Sequence, residues 1–290
     1  MCDENFEHDL ENYARFPALT RRQLGAVSLG AGMTFLLPRA VDAQAVKEQD
    51  VTIKTPDGEC DAYFVHPANG ASAAVIVWPD ILGLRPAFRQ MGKRLAESGY
   101  AVLTVNPFYR QKKAPVVPAG ANFADQVTRD VVMPLAQALN ATTHVTDAKA
   151  FVAWLDGQAA VDKRRKIGTT GYCMGGPMVM RTAGAVPDRV GAGATFHGGG
   201  LVTKEPNSPH LLVPTMKAHF LFAVADNDDK RDPTAKDVLK ETFAKAKLPA
   251  EIEVYAAAHG WCPPDSAVYD EKLAERAWAR LLVLFKTALA

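Results

Sequence analysis

The chain has 290 residues, of which 48% are hydrophobic and 22% charged, a composition typical of a globular protein with one large core. The formal net charge of +1, without any block of five like charges, argues against nucleic acid as a partner. No internal repeat or low-complexity tract is visible in the sequence.

The first 45 residues have the pattern of a signal peptide. Arg21 and Arg22 precede an uncharged stretch at 24–38, and Ala43-Gln44-Ala45 is a small-residue cleavage site. The paired arginines indicate export of the folded chain by the twin-arginine machinery. A transmembrane helix is disfavoured, because it needs about 20 apolar residues and this stretch is shorter. The alternative to a signal peptide is a disordered or membrane-lying N-terminal helix. We therefore expect a periplasmic or secreted protein with no stable membrane association after cleavage at residue 45.

The next elements are strands. Two β-rich runs at 51–55 and 60–66 surround the turn signal Pro56-Asp57-Gly58, which predicts a hairpin. Short apolar runs without clean alternation follow, and such runs suit parallel strands that are covered on both faces. They lie at 73–78, 100–105, 166–170, 190–196, 220–225 and 252–255.

Helical segments alternate with these strands. They are predicted at 86–98, 124–139, 146–155, 177–185 and 234–247, and a last helix carries one apolar face from Ala274 to Phe285. A hairpin followed by repeated strand–helix units indicates a mostly parallel sheet with helices on both faces. No linker suggests a second domain, so residues 46–290 are predicted to form one α/β domain.

One motif in this pattern suggests catalysis. The stretch Gly171-Tyr172-Cys173-Met174-Gly175 follows a predicted strand and precedes a predicted helix, as a nucleophile elbow does. The glycines are needed because side chains there would collide with the neighbouring backbone. The alternative interpretation is that Cys173 is an ordinary buried cysteine, which behaves as a small hydrophobe.

A cysteine nucleophile needs a base, and the base needs an orienting group. His259 follows the last predicted core strand, and the acid is expected within the cluster at 226–229. The resulting chain order of nucleophile, acid and histidine is that of α/β-hydrolases. The N-terminus of the helix after Cys173 also favours the thiolate.

At these residues the chain resembles the dienelactone hydrolases (carboxymethylenebutenolidases), over roughly residues 51–284. The resemblance rests on the elbow, on Ala225-Asp226-Asn227-Asp228, on His259-Gly260-Trp261 and on Pro79-Asp80-Ile81-Leu82-Gly83. It implies an α/β-hydrolase fold with a mostly parallel eight-stranded sheet. It also implies hydrolysis of a small ester or lactone through a thioester on Cys173, without a cofactor or metal.

The resemblance further assigns roles to single residues. The triad is Cys173, His259 and Asp228, with Asp226 as the alternative acid. The backbone N–H groups of Ile81 and Met174 form the oxyanion hole. A family glutamate that contacts the thiol corresponds here to Asp80, for which a loop or helix-capping role is the alternative.

Substrate recognition departs from the family pattern. The family holds a substrate carboxylate with two arginines; Arg110 matches one, while Cys262-Pro263-Pro264 stands where the second is expected. We therefore expect a less acidic ester or lactone, or one that is positioned differently. Tyr109 and Trp261 are predicted to line the pocket, with a core role as the alternative for Trp261. Arg85 is a possible substitute, although a surface role is favoured.

Two side chains remain open in the sequence. His197 is expected to be a loop histidine bonded to backbone, with a place in the site as the alternative. Cys262 is a remote candidate for a disulfide with Cys173. The alternative to the enzyme is an exported non-catalytic binding or thiol-regulatory protein on the same scaffold; a thiol–disulfide protein is disfavoured because no Cys-x-x-Cys occurs.

Overall fold

A computed structural model describes residue 37 and residues 43–290 of the chain. The predicted hairpin is present: β1 (Val46–Thr55) pairs antiparallel with β2 (Gly58–Pro67) across a two-residue turn. The predicted signal peptide, apart from residues 37 and 43–45, lies outside the described residues. Within the described residues, no helix combines the length and apolarity that a membrane crossing requires.

The remaining strands extend this hairpin into a single eight-stranded sheet of order β1-β2-β4-β3-β5-β6-β7-β8. Strand β2 joins β4 antiparallel, and every pair from β4 onward in that order is parallel. The predicted mostly parallel sheet is therefore confirmed. The strands are β3 (Ala74–Trp78), β4 (Ala101–Val105), β5 (Ile167–Tyr172), β6 (Val190–Phe196), β7 (His219–Ala225) and β8 (Ala250–Tyr255).

Helices cover both faces of the sheet, and each face has its own apolar core. One core contains side chains of α1 (Pro86–Glu97) and α7 (Glu271–Ala288). The helices that contribute to the other core are α2 (Gln126–Gln137), α3 (Ala141–Asp156), α4 (Gly175–Ala185) and α6 (Ala235–Ala246). The short apolar strands are thus buried from two sides, which explains why their sequences lack alternation.

Three elements differ from the sequence prediction. Helix α3 begins at Ala141 and not at 146, because the Asn140 side chain accepts hydrogen bonds from the backbone N–H groups of Thr142 and Thr143 in a capping box. The acidic cluster at 226–229 lies in the short helix α5 (Asp226–Arg231), which is not among the predicted helices. A 3₁₀ helix at Pro209–Thr215 lies in a segment for which no element was predicted.

Candidate active site

Cys173 occupies the sharp turn between β5 and α4. Its φ of 52° lies in the left-handed region, which is strained for a residue with a side chain and recurs at functional sites. Its backbone N–H donates to the carbonyl of Phe196 at 3.1 Å, so the turn is held against β6. The side chain is a free thiol with 6% exposure.

The positions on either side of Cys173 require glycine, because neighbouring backbone leaves no room for a Cβ atom. A Cβ at Gly171 would lie 2.3 Å from the carbonyl oxygen of Gly175, and a Cβ at Gly175 would lie 2.5 Å from that of Trp78. The second contact also brings the end of β3 against the start of α4. The loop that carries Ile81 therefore begins beside the elbow, as an oxyanion hole shared with Met174 requires.

His259 lies between the predicted nucleophile and the predicted acid. Its Nδ1 and Oδ2 of Asp228 are 2.7 Å apart, and the imidazole also shares a hydrogen bond with the Cys173 side chain. Both His259 and Asp228 are buried. With Nδ1 bonded to Asp228, Nε2 is the ring nitrogen that remains for the thiol. The structure therefore brings the three predicted triad residues together.

The electrostatics of His259 favour its charged form. Burial by itself lowers the pKa of the imidazole, but the charges of Asp228 and Cys173 and their hydrogen bonds outweigh it and raise the pKa to about 10. The site can therefore hold an imidazolium at neutral pH.

Asp80 lies in the loop after β3 and is paired with Arg85. Arg85 donates from Nη1 and Nη2 to the two carboxylate oxygens at 2.6 and 2.9 Å, and Oδ1 also accepts from the N–H of Leu82 at 2.9 Å. The contact of Asp80 with the thiol is not among these bonds and stays a prediction. The surface role favoured for Arg85 is wrong, because this side chain is only 7% exposed.

Arg110 and Tyr109 lie together in the loop after β4, next to two aspartates. Arg110 pairs with Asp147 of α3 at 2.7 Å and with Asp57 of the hairpin turn at 2.6 Å. The Tyr109 hydroxyl donates to Asp147 at 2.8 Å. Both predicted substrate-binding side chains are therefore engaged by the protein itself.

Trp261 and His197 pack behind His259. Trp261 has no exposed surface and stacks on Tyr255 with ring centroids 5.3 Å apart, which favours the core alternative over a pocket wall. The His197 ring lies 5.0 Å from that of His259. Neither of its ring nitrogens bonds to another described residue, and the backbone group that interacts with the ring is that of His197 itself. Burial, and then the charge of His259, lowers the His197 pKa well below its usual value.

The other two described cysteines are buried away from this chemistry. Cys60 and Cys262 are free, and burial raises the pKa of both thiols, which makes them poor nucleophiles. Cys262 belongs to the core that contains α7, whereas Cys173 belongs to the opposite core. A cavity of about 30 Å³ next to Cys262 and Tyr172 is too small for an ester substrate.

Several residues of the site were not identified from the sequence. Asn227 accepts the backbone N–H of His259 at 2.7 Å, and Arg231 donates to Asp228 at 3.3 Å. Asp265 binds Arg85 at 2.6 Å. Only Asn227 had a local signal, since it lies inside the acidic motif. The others depend on α5 or on a loop whose conformation the sequence does not indicate.

Comparison with known proteins identifies a family and individual relatives of this chain. A family model of the dienelactone hydrolase family matches residues 60–289. A Methylorubrum extorquens protein named as a proposed carboxymethylenebutenolidase is 27% identical over 293 residues, with 97% of each chain covered. The carboxymethylenebutenolidase of Rhodococcus opacus is 26% identical over 238 residues, which cover 78% of this chain and 86% of the relative.

The fold has counterparts among solved structures. A Klebsiella pneumoniae protein named as a proposed dienelactone hydrolase superposes with a TM-score of 0.71 at 22% identity, covering 84% of this chain and 99% of that chain. Together with the family match, this likeness confirms the predicted α/β-hydrolase fold.

Proposed function

Because the chain belongs to the dienelactone hydrolase family, we propose that it hydrolyses a small ester or lactone with Cys173 as nucleophile. In this proposal His259 acts as general base and acid, and Asp228 orients it. The observation that carries the proposal is the position of His259, bonded to Asp228 and to the thiol at the elbow. The family match itself identifies the chain as a hydrolase of the dienelactone hydrolase type, and the proposal adds the roles of the three residues.

The first half of the reaction forms a thioester. The Cys173 thiol gives its proton to His259, and the thiolate attacks the carbonyl carbon of the ester. The backbone N–H groups of Ile81 and Met174 donate to the resulting oxyanion, where a single donor contributes about 10²–10³ in rate. The imidazolium of His259 then protonates the departing alkoxide, and the carbon–oxygen bond of the ester breaks.

The second half of the reaction releases the acid. His259, now neutral, takes a proton from water, and the hydroxide attacks the thioester carbonyl. The tetrahedral intermediate expels the Cys173 thiolate, and the carboxylic acid leaves. A lactone follows the same steps, except that the alcohol stays covalently joined to the acyl group and the product is a single hydroxy acid.

Hydrolysis of 4-nitrophenyl acetate by purified protein tests the proposal. We expect Cys173→Ala to lower kcat/KM by at least about 10³-fold, because the covalent route is lost. A brief pulse of substrate should add one acetyl group to the wild type, and peptide mapping should place it on Cys173. The matched control is Cys60→Ala, which removes another buried thiol and should keep the activity.

The same assay separates the enzyme from an exported protein with a silent thiol. Equal rates for the wild type and Cys173→Ala, without any acyl adduct, would contradict the proposal. That result would favour a binding or thiol-regulatory role. What supports the enzyme is that nucleophile, histidine and carboxylate are bonded in series and not merely present.

We also propose that residues 1–45 direct export by the twin-arginine route. The proposal is supported by the paired Arg21 and Arg22 and by the start of β1 at Val46, directly after the proposed cleavage site. Fractionation of cells that express the full chain should place the shortened protein in the periplasm or medium. Replacing both arginines by lysine should leave it uncleaved in the cytoplasm, and continued export would contradict this route.

A further inference from the structure

We infer that the substrate of the proposed site carries no free carboxylate, because two Asp–Arg–Asp clusters, in the loops after β3 and β4, occupy both candidate arginines with carboxylates of the protein. The inference rests on the proposed hydrolase function and narrows its substrate class to esters and lactones without a carboxylate. It separates this chain from a carboxylate-clamping relative on the basis of its own side-chain contacts.

The first cluster surrounds Arg110, the residue that matches the family's carboxylate-binding arginine. Asp147 accepts from Nη1 at 2.9 Å and from Nη2 at 2.7 Å, and Asp57 accepts from Nε at 3.0 Å and from Nη2 at 2.6 Å. Four of the five guanidinium N–H donors are thus used. A substrate carboxylate would have to displace one of these aspartates.

The first cluster is also held in place. The Asp147 side chain is 2% exposed, and its Oδ1 accepts a further bond from the Tyr109 hydroxyl. That hydroxyl lies 2.7 Å from Oγ1 of Thr55 at the end of β1. Arg110 therefore ties the hairpin to α3. The orientation of the Arg110 guanidinium is thus set by groups of the protein. Only the Asp57 carboxylate, whose side chain is 41% exposed, could be replaced by a carboxylate from solution.

The second cluster surrounds Arg85, next to the proposed oxyanion loop. Asp80 and Asp265 each accept two of its N–H groups at 2.6–2.9 Å, and the carbonyl of Gly83 accepts at 3.3 Å. These five bonds use all five donors of the guanidinium. Arg85 therefore cannot replace the arginine that is missing after His259.

The charges of the two clusters add to a negative field. Each cluster holds two carboxylates and one guanidinium, which leaves one net negative charge in each cluster. Cations near Asp228 are paired as well: Lys230 with Asp226 and Lys236 with Asp229. Lys112 and Lys113 follow Arg110 but are exposed, so solvent and salt screen them. An anionic acyl group would meet repulsion without a matching clamp.

A matched pair of substrates tests the inference. The 4-nitrophenyl ester of monomethyl adipate and that of adipic acid share the leaving group and chain length and differ by one carboxylate. We expect the wild type to prefer the neutral ester by about tenfold or more in kcat/KM, an effect of the size that one nearby like charge produces. The variant Asp57→Asn opens one side of Arg110 and should shift the ratio toward the acid.

The outcomes distinguish the inference from the proposed function. Equal or better use of the acid by the wild type would overturn the inference. A selective loss of acid hydrolysis in Arg110→Met would then show that Arg110 binds the substrate carboxylate. Hydrolysis of neither ester, or hydrolysis that survives Cys173→Ala, would instead overturn the proposed function. Because Asp57 lies in an exposed turn, its replacement tests the inference without disturbing the buried partner Asp147.

Discussion

The charge on His259 depends on two neighbours that come from different elements. Asp228 lies in α5, and Cys173 lies in the turn before α4. The imidazole is therefore stabilised as a cation only in the folded chain, where these two elements meet. The raised pKa of about 10 means that the imidazolium persists through neutral pH and is lost as pH rises toward 10. A step that needs this proton should therefore fail at the alkaline end of the pH profile.

Replacing the acid should move that alkaline limit. In Asp228→Asn the stabilising charge is lost while burial remains, so the His259 pKa falls and the alkaline limb of kcat should shift to lower pH. We also expect kcat to drop by about 10²–10⁴-fold, as when the acid of a serine-type triad is removed. Initial rates between pH 6 and 10.5, with spontaneous hydrolysis subtracted, measure both effects.

Asp226→Asn is the matched control for this prediction. Asp226 is the alternative acid in the same motif, but its carboxylate is paired with Lys230 on the surface. Its replacement should leave the pH profile in place. If instead Asp226→Asn moves the alkaline limb and Asp228→Asn does not, the acid has been assigned to the wrong residue.

At the residue scale, the sequence indicated the triad but not the arginine clusters. Cys173, Asp228 and His259 each follow a strand at the same edge of the sheet, and a motif identifies each of them. The partners of Arg110 lie 53 and 37 residues away along the chain, at Asp57 and Asp147. No local sequence pattern indicates contacts between residues so far apart in the chain. The substrate-binding role of Arg110 was therefore predicted from its motif alone.

Among the elements, Arg85 links two loops that the proposed chemistry uses. It joins Asp80 in the loop after β3 to Asp265 in the loop after β8, and so connects the proposed oxyanion donors to the segment that follows His259. Arg85 is therefore a positioning residue, which holds the loops of Asp80 and Asp265 together. Its loss leaves two carboxylates without their partner, and breaking such buried pairs costs about 3 kcal/mol or more in the free energy of unfolding.

Arg85→Met should therefore lower both stability and activity. The control is Arg94→Met, since Arg94 is as buried as Arg85, at 7% exposure, but pairs with Glu275 of α7 and not with a carboxylate of either loop. Both variants should lose stability in urea unfolding. At a temperature where both remain folded, only Arg85→Met should lose kcat, by about tenfold or more. Equal kcat values in the two variants would limit Arg85 to a structural role.

At the element scale, prediction succeeded where burial determines the pattern. The strands were found because a doubly covered sheet requires short continuous apolar runs, and α7 because its apolar face repeats at helical spacing. The start of α3 was placed too late because the prediction followed apolar residues and missed the Asn140 cap. Helix α5 is polar and only six residues long, so its sequence carries no amphipathic pattern.

For the whole molecule, the predicted boundary at residue 45 coincides with the beginning of the sheet. Strand β1 starts at Val46, and the buried residues of both cores lie downstream of it. Few described contacts reach back across the boundary. The N–H of Gln44 donates to Glu97, the carbonyl of Ala45 accepts from Ala68, and Leu37 packs against the core that contains α7.

A chain of residues 46–290 should therefore fold and act by itself. Each lost backbone hydrogen bond contributes about 0.5–1.5 kcal/mol, and about 1 kcal/mol shifts Tm by about 2–4 °C in a domain of this size. We expect Tm to fall by only several degrees relative to the full chain, with kcat/KM for a neutral ester unchanged. Thermal unfolding of both chains, alongside Leu37→Ala in the full chain, separates the contribution of Leu37 from that of the backbone bonds. Aggregation of 46–290, or loss of its activity, would mean that the preceding segment is a structural part of the domain, which a removable leader cannot be.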